Sequence, residues 1–187
     1  ACVAAKNTSG ANISVIDGKS MSVGLGLCIE EVAKIMKEKN LSHENIVVEI
    51  KKIINNTNVF TAVRDLSYAV KGGRVPKIVK TISDIFNFKP ILSIGEDGSM
   101  TRAGIYFGKK DMPQKLFNMI NKKIDPSFKY NILIGHAKSK SDGEKAKLLF
   151  EGKSDVFKNV RLLEIGGALG VHTGPGAISV AIQKIDD

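Results

Sequence analysis

Tryptophan is absent from the 187 residues, while cysteine occurs twice, histidine three times and proline five times. Cys2 and Cys28 lie far apart with no Cys-x-x-Cys spacing and no histidine nearby, which excludes a disulfide scaffold and a tetrahedral zinc site. Arginine supplies only four of the 28 basic side chains, and aromatics make up 6% of the chain. The net charge of +9 therefore rests on lysines scattered along the sequence. A nucleic-acid surface gathers its cations on one face and interleaves aromatics for stacking, so no nucleic-acid partner is expected and solvated surface lysine is the simpler reading. Long apolar runs are missing too. The longest stretch without a charge, Ile165–Gln183, holds Gly166, Gly167, Gly170, Gly174, Pro175 and Gly176, so no membrane span is expected. No signal peptide opens the chain, which points to a cytoplasmic protein. The first residue is Ala1 and not methionine, so the expectation is that something upstream has been removed or left out.

Catalytic signatures are mostly missing as well. There is no P-loop, no G-x-G-x-x-G after a strand, no G-x-S-x-G elbow and no H-E-x-x-H. Gly24-Leu25-Gly26 is a fragment that reads as close helix packing. His43, His136 and His172 have no ligand-like spacing; no metal and no cofactor are expected, and His43 reads as solvated.

What is present is 43% apolar content in helix and strand rhythms. Asn12–Ile16 reads as a short strand, and Ser22–Lys37 as a helix with Leu25, Cys28, Ile29, Val32, Ile35 and Met36 on its apolar face, capped by Ser20 or Ser22. A second helix spans Ser42–Asn55. From Thr57 the pattern becomes that of a sheet. Strands are expected at Asn58–Val63, Pro90–Ile94, Ser99–Phe107, Asn131–Gly135, Val160–Ile165 and Ala177–Gln183. Helices are expected over Asp65–Lys71, after Pro76, after Asp111 and over Ser141–Phe150. Six strands with interleaved helices, mixed in direction because one pair is a hairpin, make a two-layer α/β unit.

Two loops draw attention. Lys71-Gly72-Gly73-Arg74-Val75-Pro76 joins two helices; it is either a helix C-cap followed by a surface arginine or a turn whose amides and Arg74 capture an anion. The run Gly166–Gly176 (GGALGVHTGPG) shows no helical or strand period. Ordering so many glycines is entropically unfavourable. Beside their amides, His172 and Thr173 offer an imidazole and a hydroxyl, a plausible anion cradle, the alternative being a buried turn with a satisfied histidine. His136 ends a strand, which suits a site, but stands alone, which does not.

At these loops the sequence resembles the DegV family, the bacterial fatty-acid-binding proteins. The matching elements are Val15-Ile16-Asp17 followed by SMSVGLG at Ser20–Gly26, Leu66-Ser67-Tyr68 leading into KGGRV at Lys71–Val75, NFKPIL at Asn87–Leu92 before Asp97-Gly98, Ile134-Gly135-His136, and Glu164–Gly176 ending in HTGPG. The resemblance implies a two-domain α/β architecture: residues 1–56 as the back part of a three-layer parallel-sheet domain, and residues 57–187 as a two-layer domain with a mixed six-stranded sheet. It implies a carrier that is not itself an enzyme, holding a long-chain fatty acid between the domains and presenting the carboxylate to a separate kinase subunit. His172 and Arg74 would bind the carboxylate with Thr173, supported by the backbone of Gly72, Gly73, Gly174 and Gly176. It also implies a further N-terminal segment of the same protein, whose Thr-Ser and Ser-Gly-Thr motifs are absent here. Asp17-Gly18-Lys19 and Ile105-Tyr106-Phe107-Gly108 depart from the family's Asp-Ser-Lys and Lys-x-Arg-Gly patterns. The competing readings are a dihydroxyacetone-kinase-like enzyme with a substrate-binding histidine, and a basic regulatory or nucleic-acid-binding protein.

Overall fold

Val59-Phe60 and Ile132-Leu133-Ile134 place apolar residues at successive strand positions, the pattern of strands covered on both faces. The structure, a computed structural model describing residues 7, 10, 12–75, 88–108 and 111–185, covers them in that way. Strands β1 (Thr57–Ala62), β2 (Phe88–Ile94), β3 (Met100–Phe107), β4 (Lys129–His136), β5 (Phe157–Glu164) and β6 (Ile178–Ile185) form one sheet in the order β3-β2-β1-β6-β4-β5. Every neighbouring pair is antiparallel except β4 and β5, which run parallel. A parallel pair needs a crossover, here supplied by a helix over Lys140–Glu151.

The two faces sort by residue parity. Phe60, Ile132, Ile134, Val180 and Ile182 face Leu116 and Ile120, on a helix over Met112–Lys123, and Phe150 of the crossover helix. Phe150 meets Phe117 and Phe157 edge-on, at ring-centroid distances of 5.0 and 4.9 Å. The intervening residues Val59, Leu133 and Ala181 face the other way and receive Val23 and Leu27 of helix α1 (Ser22–Glu38). Helix α2 (His43–Asn55) follows, with the Ser42 hydroxyl accepting a 3.4 Å bond from the Asn45 amide. The remaining helices, in chain order, are α3 (Ser67–Lys71), α4 (Met112–Lys123), α5 (Lys140–Glu151) and α6 (Gly167–Thr173). The mixed six-stranded sheet and its hairpin agree with the sequence reading.

Five details differ from it. Asn12–Ile16 pairs with no strand among the described residues, and residues 12–56 contribute helices only. The face of α1 that meets the sheet is Val23, Gly24, Leu27 and Cys28, which leaves Leu25, Ile29 and Met36 exposed. Apolar residues occupy two arcs of this helix, and periodicity alone does not say which one docks. Its N-cap is Met21 with no side-chain cap bond, so neither Ser20 nor Ser22 caps it. The glycine-rich run contains a helix, α6, closed by the amides of Gly170 on Gly166 O at 3.0 Å and Gly174 on Gly170 O at 2.8 Å. The helix expected after Pro76 falls outside the described residues. His43 is not simply solvated: its Nε2 lies 2.8 Å from the Ser14 hydroxyl.

Candidate ligand-binding site

Helix α3 ends in a Schellman motif. Gly73, at φ +68°, donates its amide to Val70 O at 3.0 Å, and Arg74 reaches back to Ala69 O at 2.9 Å. The Gly72 amide donates to Tyr68 O at 2.9 Å. On the other loop, the Gly174 amide bonds Gly170 O and the Gly176 amide bonds Ala137 O at 2.7 Å. All four glycine N–H groups expected to cradle an anion are thus taken up by the fold, and that expectation is corrected: these amides close turns.

What the glycines supply is the absence of a side chain. A Cβ on Gly72 would lie 2.1 Å from His172 Nδ1, one on Gly174 2.5 Å from the Tyr68 ring, and one on Gly176 2.4 Å from Arg64 Cδ. Gly174 and Gly176 also hold φ values of +72° and +86°, a region L side chains enter at a penalty. Gly72 and Gly174 therefore let α3 and α6 approach until the His172 imidazole rests on the Gly72 backbone.

This approach brings three predicted residues, His172, Arg74 and Thr173, to one cavity of about 500 Å³, with Gly73 also in its wall. That size lies within the roughly 300–1,000 Å³ of small-molecule sites. Gly72, Gly174 and Gly176 are not among its lining residues. Much of the lining is apolar, from Met21, Val63, Ala69, Leu92, Ile94, Met100 and Leu169. The charges are those of Arg74 and Lys19 against a single carboxylate, Asp17, all exposed. Among the described residues the Arg74 guanidinium makes no ion pair. His172 Nδ1 is buried without a hydrogen-bond partner. The Thr173 hydroxyl makes one long bond, 3.4 Å to Leu169 O, which a better acceptor would displace. The arrangement brings an imidazole, a guanidinium and a hydroxyl to a cavity whose wall is in good part apolar. Chemically that suits an amphipathic anion.

Sequence reasoning missed Ser20, Thr61, Asp17 and Lys19 as lining residues. The sequence reads Ser20 as a helix cap and as the start of the SMSVGLG run, and a serine ahead of an apolar period gives the same signal whether it caps a helix or lines a cavity. Thr61 sits on β1 and bonds Ser179 at 2.6 Å; nothing in a strand pattern marks such a residue. His136 is not part of this site. It ends β4, almost fully buried, and lines a separate cavity of about 820 Å³ with Lys138, Lys140, Lys147 and Arg161. Its Nδ1 accepts from the Ser139 amide at 3.4 Å. Ser139 and Arg64 both donate to Asp142, at 2.8 and 2.5 Å, and this ties the start of α5 to the turn beneath Gly176.

Among the described residues no group of three or more His, Cys, Asp or Glu side chains is placed to hold a metal ion, and no helix is long and apolar enough to cross a membrane.

The whole chain has known counterparts. Curated DegV domain-containing proteins of Clostridium acetobutylicum and Clostridium perfringens are 32% and 30% identical to it over 171 and 170 residues, in each case 91% of this chain. The chain spans 60% and 59% of the length of these two relatives. Among solved structures, a fatty acid binding DegV family protein from Streptococcus agalactiae superposes with a TM-score of 0.83 at 23% identity, over 98% of this chain and 64% of that one. A DegV family protein from Eubacterium eligens loaded with heptadecanoic acid superposes with a TM-score of 0.80 at 20% identity, over 98% and 65%. The family model described as "Uncharacterised protein, DegV family" matches residues 1–184, and with it the chain is placed: it belongs to the DegV family.

Proposed function

We propose that this chain binds one long-chain fatty acid, its carboxylate among His172, Arg74 and Thr173 and its tail along Val63, Ala69, Leu92, Met100 and Leu169. The observation that carries this reading is the unpartnered, buried His172 Nδ1 beside an unpaired Arg74 in a cavity with a largely apolar wall. An ionised carboxylate is expelled from an apolar site unless it is hydrogen-bonded and charge-matched there, and these side chains meet that requirement. The tail supplies the affinity. At about 0.8 kcal/mol per buried CH2, a sixteen-carbon chain contributes roughly 10 kcal/mol before the entropy of immobilisation.

In this reading the protein is a carrier and not a catalyst, and a separate kinase subunit receives the carboxylate. Residues 1–56 belong to one domain and residues 57–187 to another, with the acid between them. The length by which relatives exceed this chain supports a further segment contributing to the first domain. The test is mass spectrometry of organic extracts from the denatured protein, alongside titration with hexadecanoate. A co-purified fatty acid, or saturable hexadecanoate binding lost in His172→Ala and Arg74→Ala, is the expected result. No lipid in the extract and no binding would end the proposal.

A further inference from the structure

Three buried side-chain atoms among the described residues have no hydrogen-bond partner: Gln183 Oε1, His172 Nδ1 and Ser20 Oγ. Gln183 lies within the sheet, on β6, whereas Ser20 and His172 line the same cavity from different elements. The Ser20 hydroxyl occupies a notch made for it. A Cβ on Gly24 would fall 2.2 Å from Ser20 Oγ, so a glycine in the first turn of α1 leaves that room. The backbone around it is unusual as well. Lys19 and Ser22 take φ values of +40° and +54°, left-handed conformations that residues bearing a Cβ rarely adopt. A strained turn that buries an unsatisfied hydroxyl is doubly unfavourable for folding, and such local conflicts concentrate where a ligand resolves them.

Resting on the fatty-acid reading, we infer that Ser20 is a further head-group residue, its hydroxyl donating a charge-assisted hydrogen bond to the carboxylate that His172 and Arg74 also hold. Gly24 is then a positioning residue, acting through Ser20. The hydroxyl has one hydrogen to donate and loses no partner in doing so, which makes it a better donor here than Thr173, whose hydroxyl already reaches Leu169 O.

The experiment compares hexadecanoate with hexadecan-1-ol on the purified chain and on Ser20→Ala, with thermal unfolding of each in the absence of lipid. Ser20→Ala is expected to bind hexadecanoate about tenfold more weakly, since bonds to charged acceptors are roughly twice as strong as neutral ones, while hexadecan-1-ol weakens about threefold or less. The lipid-free variant is expected to melt no lower than the parent, because an unsatisfied buried hydroxyl has been removed. Gly24→Ala is expected to weaken hexadecanoate binding in the parent and to add nothing in the Ser20→Ala background. Unchanged hexadecanoate affinity in Ser20→Ala overturns the assignment and leaves the fatty-acid reading standing. So does an equal loss for acid and alcohol, a lowered melting temperature without lipid, or an equal effect of Gly24→Ala in both backgrounds. Failure of the parent chain to bind hexadecanoate overturns both.

Discussion

Gly72 has φ −76°, which any residue adopts, so an alanine there is opposed first by the His172 imidazole, whose Nδ1 would lie 2.1 Å from its Cβ. Its neighbour Gly73 is the reverse case: φ is +68° and nothing stands within reach of a Cβ. The two substitutions should separate site from scaffold. Gly72→Ala is expected to displace His172 and abolish or strongly weaken fatty-acid binding with a small change in melting temperature. Gly73→Ala is expected to cost about 1–2 kcal/mol of stability from left-handed strain while leaving lipid affinity within about twofold. Chemical denaturation and a lipid titration on both variants check this. At this scale the sequence is informative about residue type and silent about direction. The histidine, arginine and threonine of the two loops are visible as candidates, but whether a glycine there offers its amide or its missing side chain depends on what stands across from it.

Among elements, the segment before α3 and the start of α5 are joined by a polar junction, Arg64–Asp142 with Ser139. Burial pushes the Asp142 carboxyl up, but the hydrogen bonds from Arg64 and Ser139 and the Arg64 charge outweigh it and hold the group below the ordinary aspartate value. The contribution of such a depressed carboxylate is present above the unfolded value of about 3.9 and fades as pH falls through the lower folded value. Asp142→Asn is therefore expected to lower stability by about 1–2 kcal/mol at pH 7, Arg64 being partly solvated, and to flatten acid unfolding below about pH 4. Tyr106 sets the opposite limit. Its hydroxyl donates 2.7 Å to Val63 O, tying edge strand β3 to the segment before α3. Burial pushes its pKa up to about 12, with Arg64 offsetting and Asp142 adding to the effect. A raised phenol contributes below its ordinary value near 10 and is lost as pH climbs toward the folded one. Tyr106→Phe should remove this alkaline component, seen by following unfolding from pH 9 to pH 12. Strands and the crossover helix are legible because their apolar periods are unambiguous. Helix α6 is not, since a Gly-Ala-Leu-Gly run has little helix propensity and is held by its neighbours.

Over the whole molecule, one sheet carries helices on both faces, and a cavity opens beside the strands β1 and β2 where α3, α6 and the turn before α1 converge. A ligand that fills it binds the folded chain alone, so saturating fatty acid at about a hundredfold over Kd should add about 2.7 kcal/mol, a rise in Tm of roughly 5–10 °C for a chain of this size. Thermal scans with hexadecanoate and with a short-chain acid of the same charge check the point, the short acid being expected to move Tm little because the tail is missing. The strand rhythm from Thr57 predicts the mixed six-stranded sheet as a two-layer unit; that α1 covers the second face of that sheet is not read from it. The orientation of α1 is less accessible to it: with two apolar arcs, docking is decided by which arc matches Val59, Leu133 and Ala181 on the sheet.

The engagement of the Gly72, Gly73, Gly174 and Gly176 amides within the fold bears on how such a protein changes over time. A backbone cradle is indifferent to mutation, since nearly every residue type carries the same N–H, and it fixes head-group chemistry as firmly as the fold itself. A cradle of side chains is written codon by codon. Here each polar contact to the proposed carboxylate belongs to a separate side chain, two of them neighbours on α6, so head-group preference can drift by single substitutions while the scaffold stays intact.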